Sequence, residues 1–99
     1  MLIEMMQVKE RSQIWTGDGN NVKLTVSVTG FGTLSYQWMK DGEDVTSVKY
    51  PKCTGSDTAN LSINSFSSEY EGNYSCRVTD EAGQSIESDS IKVKGIYVF

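Results

Sequence analysis

Apolar and polar residues alternate along most of the chain. The apolar positions fall at Val22, Leu24, Val26 and Val28; at Leu34, Tyr36 and Trp38; at Leu61 and Ile63; at Tyr74, Cys76 and Val78; and at Ile91 and Val93. A period of two buries one face of an extended segment and wets the other, so each run predicts a strand of a sheet packed on one side. Turn signals separate the runs: Gly17-Asp18-Gly19-Asn20, Gly30-Phe31-Gly32, Asp41-Gly42 and Glu81-Ala82-Gly83. Asp-Gly tolerates the positive φ values of a tight hairpin, so Asp41-Gly42 is expected to join two neighbouring strands. Helical periodicity is nearly absent; the one candidate helical turn is Ser67-Ser68-Glu69-Tyr70. Short strands broken by turns this often predict an all-β chain, an antiparallel β-sandwich or small barrel.

No internal repeat, low-complexity tract or linker interrupts this pattern, and 99 residues suffice for a single domain over residues 1–99. The hydrophobic share of 37% and charged share of 22% suit a globular chain with a modest core. Nine Lys and Arg against thirteen Asp and Glu leave a net charge of −4, which argues against a nucleic acid or an anionic membrane as partner. The chain has no histidine, so Ser-His-Asp and Cys-His catalysis and His-containing zinc sites are excluded. No cofactor-binding pattern is present, and no metal is expected. The first residues, Met1 to Met6, lack the basic region and apolar stretch of a signal peptide, and no run is long enough to span a membrane. The chain stops on the apolar Ile96-Tyr97-Val98-Phe99, and both ends are expected to be cuts from a longer multidomain protein.

From Val22 onward the sequence resembles an immunoglobulin domain of the I-set. The resemblance is carried by Leu24-Thr25-Val26 on strand B, Tyr36-Gln37-Trp38-Met39-Lys40-Asp41-Gly42 over strand C and its hairpin, and Leu61-Ser62-Ile63 on strand E. Tyr70-Glu71-Gly72-Asn73-Tyr74-Ser75-Cys76 then leads into strand F, and Asp80-Glu81-Ala82-Gly83 makes the F–G hairpin. The resemblance implies an immunoglobulin-like antiparallel β-sandwich of seven to eight strands with Greek-key connections. It places Trp38 between the sheets as one large rigid side chain. Tyr74 becomes a tyrosine corner pinning the E–F connection through its hydroxyl, and Phe66 the apolar plug beneath that connection. The segment upstream supplies strand A, with Ile14 or Trp15 after a kink.

The sequence departs from the family twice. By register Val26 occupies the position of the strand B cysteine, and Tyr70 stands where an acidic residue is usual. The first change removes the usual inter-sheet disulfide; an apolar pair fills much of the same space. The second is expected only to remove a local salt bridge. Two arrangements are open for the remaining cysteines. Cys53 and Cys76 are either two reduced thiols or a non-standard bridge that replaces the missing one, which requires their Cα atoms within ~7 Å. Neither is expected to be catalytic, since no imidazole base exists.

Asn60-Leu61-Ser62 and Asn73-Tyr74-Ser75 match the N-glycosylation acceptor, and both asparagines are expected to point outward. The acidic pairs Glu43-Asp44 and Asp80-Glu81 lack calcium-loop spacing and read as solvated turns. For binding, the informative residue is Phe31, between Gly30 and Gly32 at the B–C turn, at the same end of a sandwich as the F–G turn. It is either an exposed anchor for a partner or a lid folded back on the core. Met39, expected outward on strand C, is a second candidate contact. The resemblance, together with the two acceptor sequences and the bridge arrangement, implies a non-catalytic recognition or adhesion module of a cell-surface or secreted protein, contacting a protein partner or neighbouring domains. The alternative is a cytoplasmic structural or signalling-scaffold domain.

Overall fold

The computed structural model describes residues 4–7, 13–29 and 32–96. Among the described residues there are ten strands: β1 (Glu4–Gln7), β2 (Gln13–Gly17), β3 (Val22–Thr29), β4 (Ser35–Lys40), β5 (Glu43–Asp44), β6 (Cys53–Thr54), β7 (Asn60–Ile63), β8 (Gly72–Thr79), β9 (Ser85–Glu87) and β10 (Ile91–Ile96). One sheet has the order β1-β3-β7-β6; the other has β2-β10-β8-β4-β5, with β9 also paired to β8. This is the immunoglobulin-like sandwich that the resemblance implied. The strand count exceeds seven or eight because β5 and β6 are two-residue pairings, and because β9 and β10 pair with successive stretches of the same strand, β8. One ladder departs from the antiparallel rule: β2 runs parallel to β10, with Trp15 opposite Lys94 and Gly17 opposite Ile96.

The alternating residues meet between the sheets. Val22, Leu24 and Val26 of β3 and Leu61 and Ile63 of β7 face Trp38 of β4, Tyr74, Cys76 and Val78 of β8, and Ile91 and Val93 of β10 in a single cluster. Trp38 is 1% exposed, and its indole Nε1 donates to the Thr58 carbonyl at 2.8 Å. A large apolar ring and one satisfied polar tip are what a buried tryptophan requires. The Tyr74 hydroxyl donates to the Tyr70 carbonyl at 2.6 Å, pinning the 3₁₀ turn Ser68–Tyr70 to β8. Phe66, 1% exposed, plugs the core below that turn, and its backbone exchanges bonds with Gly19 and Asn20 of the β2–β3 turn. Asp41 and Gly42 have φ of 52° and 85°, the left-handed pair that a two-residue hairpin between β4 and β5 needs.

Tyr70 contributes more than a lost salt bridge. It is 3% exposed, its ring meets Tyr50 edge-on at 5.8 Å, and its hydroxyl accepts the Lys52 N–H at 3.2 Å. An aromatic cluster thus replaces an ion pair at this corner. Val45, which follows β5 and is 1% exposed, is a further core residue that its single apolar position did not announce.

Candidate functional site

The end of the sandwich that carries the β3–β4 and β8–β9 turns is the candidate contact surface. The β8–β9 turn is built around Asp80. Its backbone N–H donates to the Gln84 carbonyl at 2.9 Å, and its Oδ1 accepts the N–H groups of Ala82 and Gln84 at 2.9 and 3.0 Å. Aspartate suits this position because its short side chain bonds the backbone two and four residues on, closing the turn on itself. Asp80 is buried as a result, and Gly83 takes the positive φ of 88° that ends the turn.

Glu81 leaves that turn and reaches across to the other one. Its Oε2 accepts the Thr33 N–H at 2.9 Å, and this bond is the main reason its carboxyl titrates below the usual glutamate value. Gly32, with φ of 69°, lies directly beneath: a Cβ there would sit 2.5 Å from the Glu81 carboxyl carbon. The glycine is favoured by its backbone conformation, and the carboxylate occupies the space a side chain there would take. Two turns 48 residues apart in sequence are held as one surface. Phe31, the expected anchor, lies outside the described residues, as does Gly30.

Met39 is corrected. It does point away from Trp38, but it is only 5% exposed and offers no free contact. Arg77 lies over it, with Nη1 at 3.6 Å from the sulfur and Nη2 at 3.6 Å from Asp44 Oδ1. Long side chains on the outer face of a sheet cover their neighbours with apolar stems, and alternation alone does not reveal this.

The bridge arrangement of the cysteines is corrected as well: Cys53 and Cys76 are both free and buried. Cys53 lies on β6, the edge strand of one sheet, and Cys76 on β8 of the other. Burial pushes each thiol up to about 11, so neither has nucleophilic character near neutral pH. Val26, 5% exposed, stands in the same cluster as Cys76 and Trp38, where its isopropyl group packs in place of a sulfur.

Asn60 and Asn73 are both exposed. Asn60 Oδ1 accepts the Thr25 hydroxyl at 2.7 Å across β3 and β7. Asn73 lies on the outer face of β8, opposite Lys92 of β10. On the same face, Trp15 of β2 is 55% exposed and Ile96 of β10 is 53% exposed, and the Lys94 ammonium sits 5.5 Å from the Trp15 ring centroid. Of the two candidates for the inward position, Ile14 packs against the core and Trp15 faces solvent. Among the described residues no group of three His, Cys, Asp or Glu side chains is placed to hold a metal, and no helix is long and apolar enough to cross a membrane.

Comparison with known proteins agrees with this architecture. The chain superposes on Drosophila OTK extracellular domains 3–5 with a TM-score of 0.72 and 18% identity, covering 94% of this chain and 36% of that one. On the insect immune protein hemolin the TM-score is 0.75 with 20% identity, covering 96% and 24% respectively. On a chimeric titin Z1Z2 carrying a decorin peptide it is 0.73 with 18% identity, covering 97% and 98%. The chain therefore spans about a third of the OTK fragment and a quarter of hemolin. The immunoglobulin I-set domain model matches residues 5–93. That match takes in the buried Trp38, the Tyr74 corner and the Asp80 turn, so the chain belongs to the immunoglobulin I-set family, whose members are non-enzymatic binding and structural modules.

Proposed function

We propose that this domain is a recognition and adhesion module, one unit of a longer cell-surface or secreted protein, and that it meets a protein partner through the β3–β4 and β8–β9 turns. The observation that supports this reading is the Thr33 N–H bond to Glu81, which ties the described part of the β3–β4 turn to the β8–β9 turn. Preorganised turns bind more tightly than mobile ones because less entropy is lost on contact. Phe31, between Gly30 and Gly32 in the first of those turns, is the anchor in this reading: a rigid aromatic concentrates contact area at little entropic cost. The net charge of −4 favours a protein partner over a nucleic acid. Structural likeness to extracellular domains of OTK and to hemolin, whose structure was described for homophilic adhesion, supports the extracellular placement.

A second reading, a cytoplasmic structural or scaffold domain, is supported by the superposition on titin Z1Z2, and a core that holds together with Val26 in place of a cysteine and two free thiols is compatible with it. The test is a tetrameric form of the domain used to stain live cells, with Phe31→Ala beside it. Staining should weaken by about 5- to 30-fold while the melting temperature holds. A melting temperature several degrees lower would place Phe31 in the core as a lid and remove the end-on site. Intact mass of the parent protein from its natural source separates the two locations, because N-glycans require secretion.

A further inference from the structure

We infer that Asn73 carries an N-linked glycan whose first sugars lie along the outer face of β8, β10 and β2 and pack against Trp15. The inference rests on the secreted-protein reading. It begins from the Asn73-Tyr74-Ser75 acceptor, but the geometry around it takes the matter further. Tyr74 and Cys76 point into the core, so Asn73 points out, and among the described residues its hydrogen bonds are made by its backbone: its N–H donates to Asp41 Oδ1 at 3.0 Å and its carbonyl accepts the Asp41 N–H. A glycan on Nδ2 disturbs neither. Asn60 differs, because its side-chain oxygen is engaged with Thr25.

From Asn73 a groove of about 260 Å³ opens, lined by Glu71, Gly72, Lys92, Val93 and Lys94. Lys92 lies beside Asn73, and Lys94 lies opposite Trp15 on the next strand. The path from Asn73 to Trp15 crosses two strand spacings and two residues, ~12 Å between Cα atoms. Two linked pyranose rings bridge a gap of that order. The groove offers ammonium donors to sugar hydroxyls, and beyond it, on the far side of Lys94, the exposed Trp15 indole offers an apolar surface to a sugar ring face. A large exposed aromatic beside a solvated groove has this occupant to cover it.

The transfer itself joins Asn73 Nδ2 to the anomeric carbon of a lipid-pyrophosphate-linked oligosaccharide. The bond from that carbon to the pyrophosphate oxygen breaks, its electron pair leaves with the pyrophosphate, and the amide nitrogen gives up one proton.

The experiment expresses the 99-residue chain behind a secretion signal in mammalian cells, beside Asn73→Gln and beside the unmodified chain made in bacteria. Peptide mass spectrometry should find Asn73 occupied and the mass increment lost in Asn73→Gln. Acrylamide quenching then reads Trp15, since the only other tryptophan, Trp38, is 1% exposed. The glycosylated chain should quench at least twofold less steeply than both unglycosylated forms. A bare Asn73 in the secreted, folded chain overturns the site. An occupied Asn73 with unchanged quenching overturns the packing on Trp15. The parent protein purified from its natural source tests the location separately: a bare Asn73 there, with occupancy in the targeted cells, overturns the secreted-protein reading rather than the capacity of the site.

Discussion

Trp38 is where the packing can be tested most directly. Its indole is 1% exposed, its Nε1 is bonded to the Thr58 carbonyl at 2.8 Å, and its own backbone carbonyl accepts the Val45 N–H. Truncation to alanine removes on the order of 200 Å² of buried aromatic surface, which at ~25 cal/mol per Å² comes to about 5 kcal/mol. Measured losses for buried aromatics run about 3–5 kcal/mol, because the walls relax into part of the space. Trp38→Phe keeps a ring between the sheets and loses the smaller half of the indole and the N–H bond. Thr58 is at the surface, so water can replace that donor, and the expected cost is about 1–2 kcal/mol. Against a total stability of ~5–15 kcal/mol, the alanine variant approaches unfolding at body temperature and the phenylalanine variant does not. Urea titration followed by far-UV circular dichroism should shift the midpoint in that order with an unchanged slope. Two variants within a few tenths of a kcal/mol of each other, or an alanine variant close to the parent, would refute this account of the core.

Several other substitutions and conditions test neighbouring parts of the argument. Reductant should leave the melting temperature unchanged, and a thiol reagent should find no reactive group until the chain unfolds; a several-degree loss in reductant would mean a bridge exists. Burial raises both thiols to about 11 from 9.0, so their contribution is fully present below pH 9 and is lost as pH rises through about 11. Stability measured across pH 8 to 11 should therefore fall, and a flat profile would contradict the burial. Tyr74→Phe should cost about 1–3 kcal/mol in denaturant titration, since it orphans the buried Tyr70 carbonyl. Gly55→Ala should lower the melting temperature more than Gly32→Ala. Both residues have positive φ, but at Gly55 the new methyl meets the rigid Asn60 backbone carbonyl, whereas at Gly32 it meets the movable end of Glu81.

What could be read in the sequence was what depends on local period and local backbone conformation. The inward set at Leu24, Trp38, Leu61, Tyr74 and Cys76 followed from alternation, and the Asp41-Gly42 hairpin followed from the steric freedom of those two residues. Alternation says which face a side chain takes and nothing about what lies over that face, so Met39 was placed outward and its cover by Arg77 was not foreseen. The same limit hid Tyr70, whose burial depends on Tyr50 twenty residues earlier. Nor could the pattern assign Ile14 and Trp15, two adjacent apolar residues of which one must face out; the parallel ladder with β10 decides it. At the candidate contact surface the Asp80 turn is a local motif, but the Thr33–Glu81 bond joins turns that only the completed sandwich brings together.

The missing cysteine carries little weight for location. A disulfide in this fold acts mainly on the unfolded chain: by the loop-entropy relation, closing the fifty residues between positions 26 and 76 is worth about 4 kcal/mol. Its absence alters the native packing little, because Val26 fills the position in the same cluster as Trp38 and Cys76. The core therefore has no need of an oxidising compartment. It is equally safe in one: Cys53 and Cys76 are buried and unbridged and their thiols are pushed up to about 11, so oxidants find little thiolate. A core indifferent to redox conditions cannot discriminate between the cell surface and the cytoplasm. The discriminating chemistry lies outside the core, on the solvent face of β8 where Asn73 opens onto its groove: N-glycosylation takes place only in the secretory route, so occupancy of Asn73 in the parent protein is the measurement that separates the two locations.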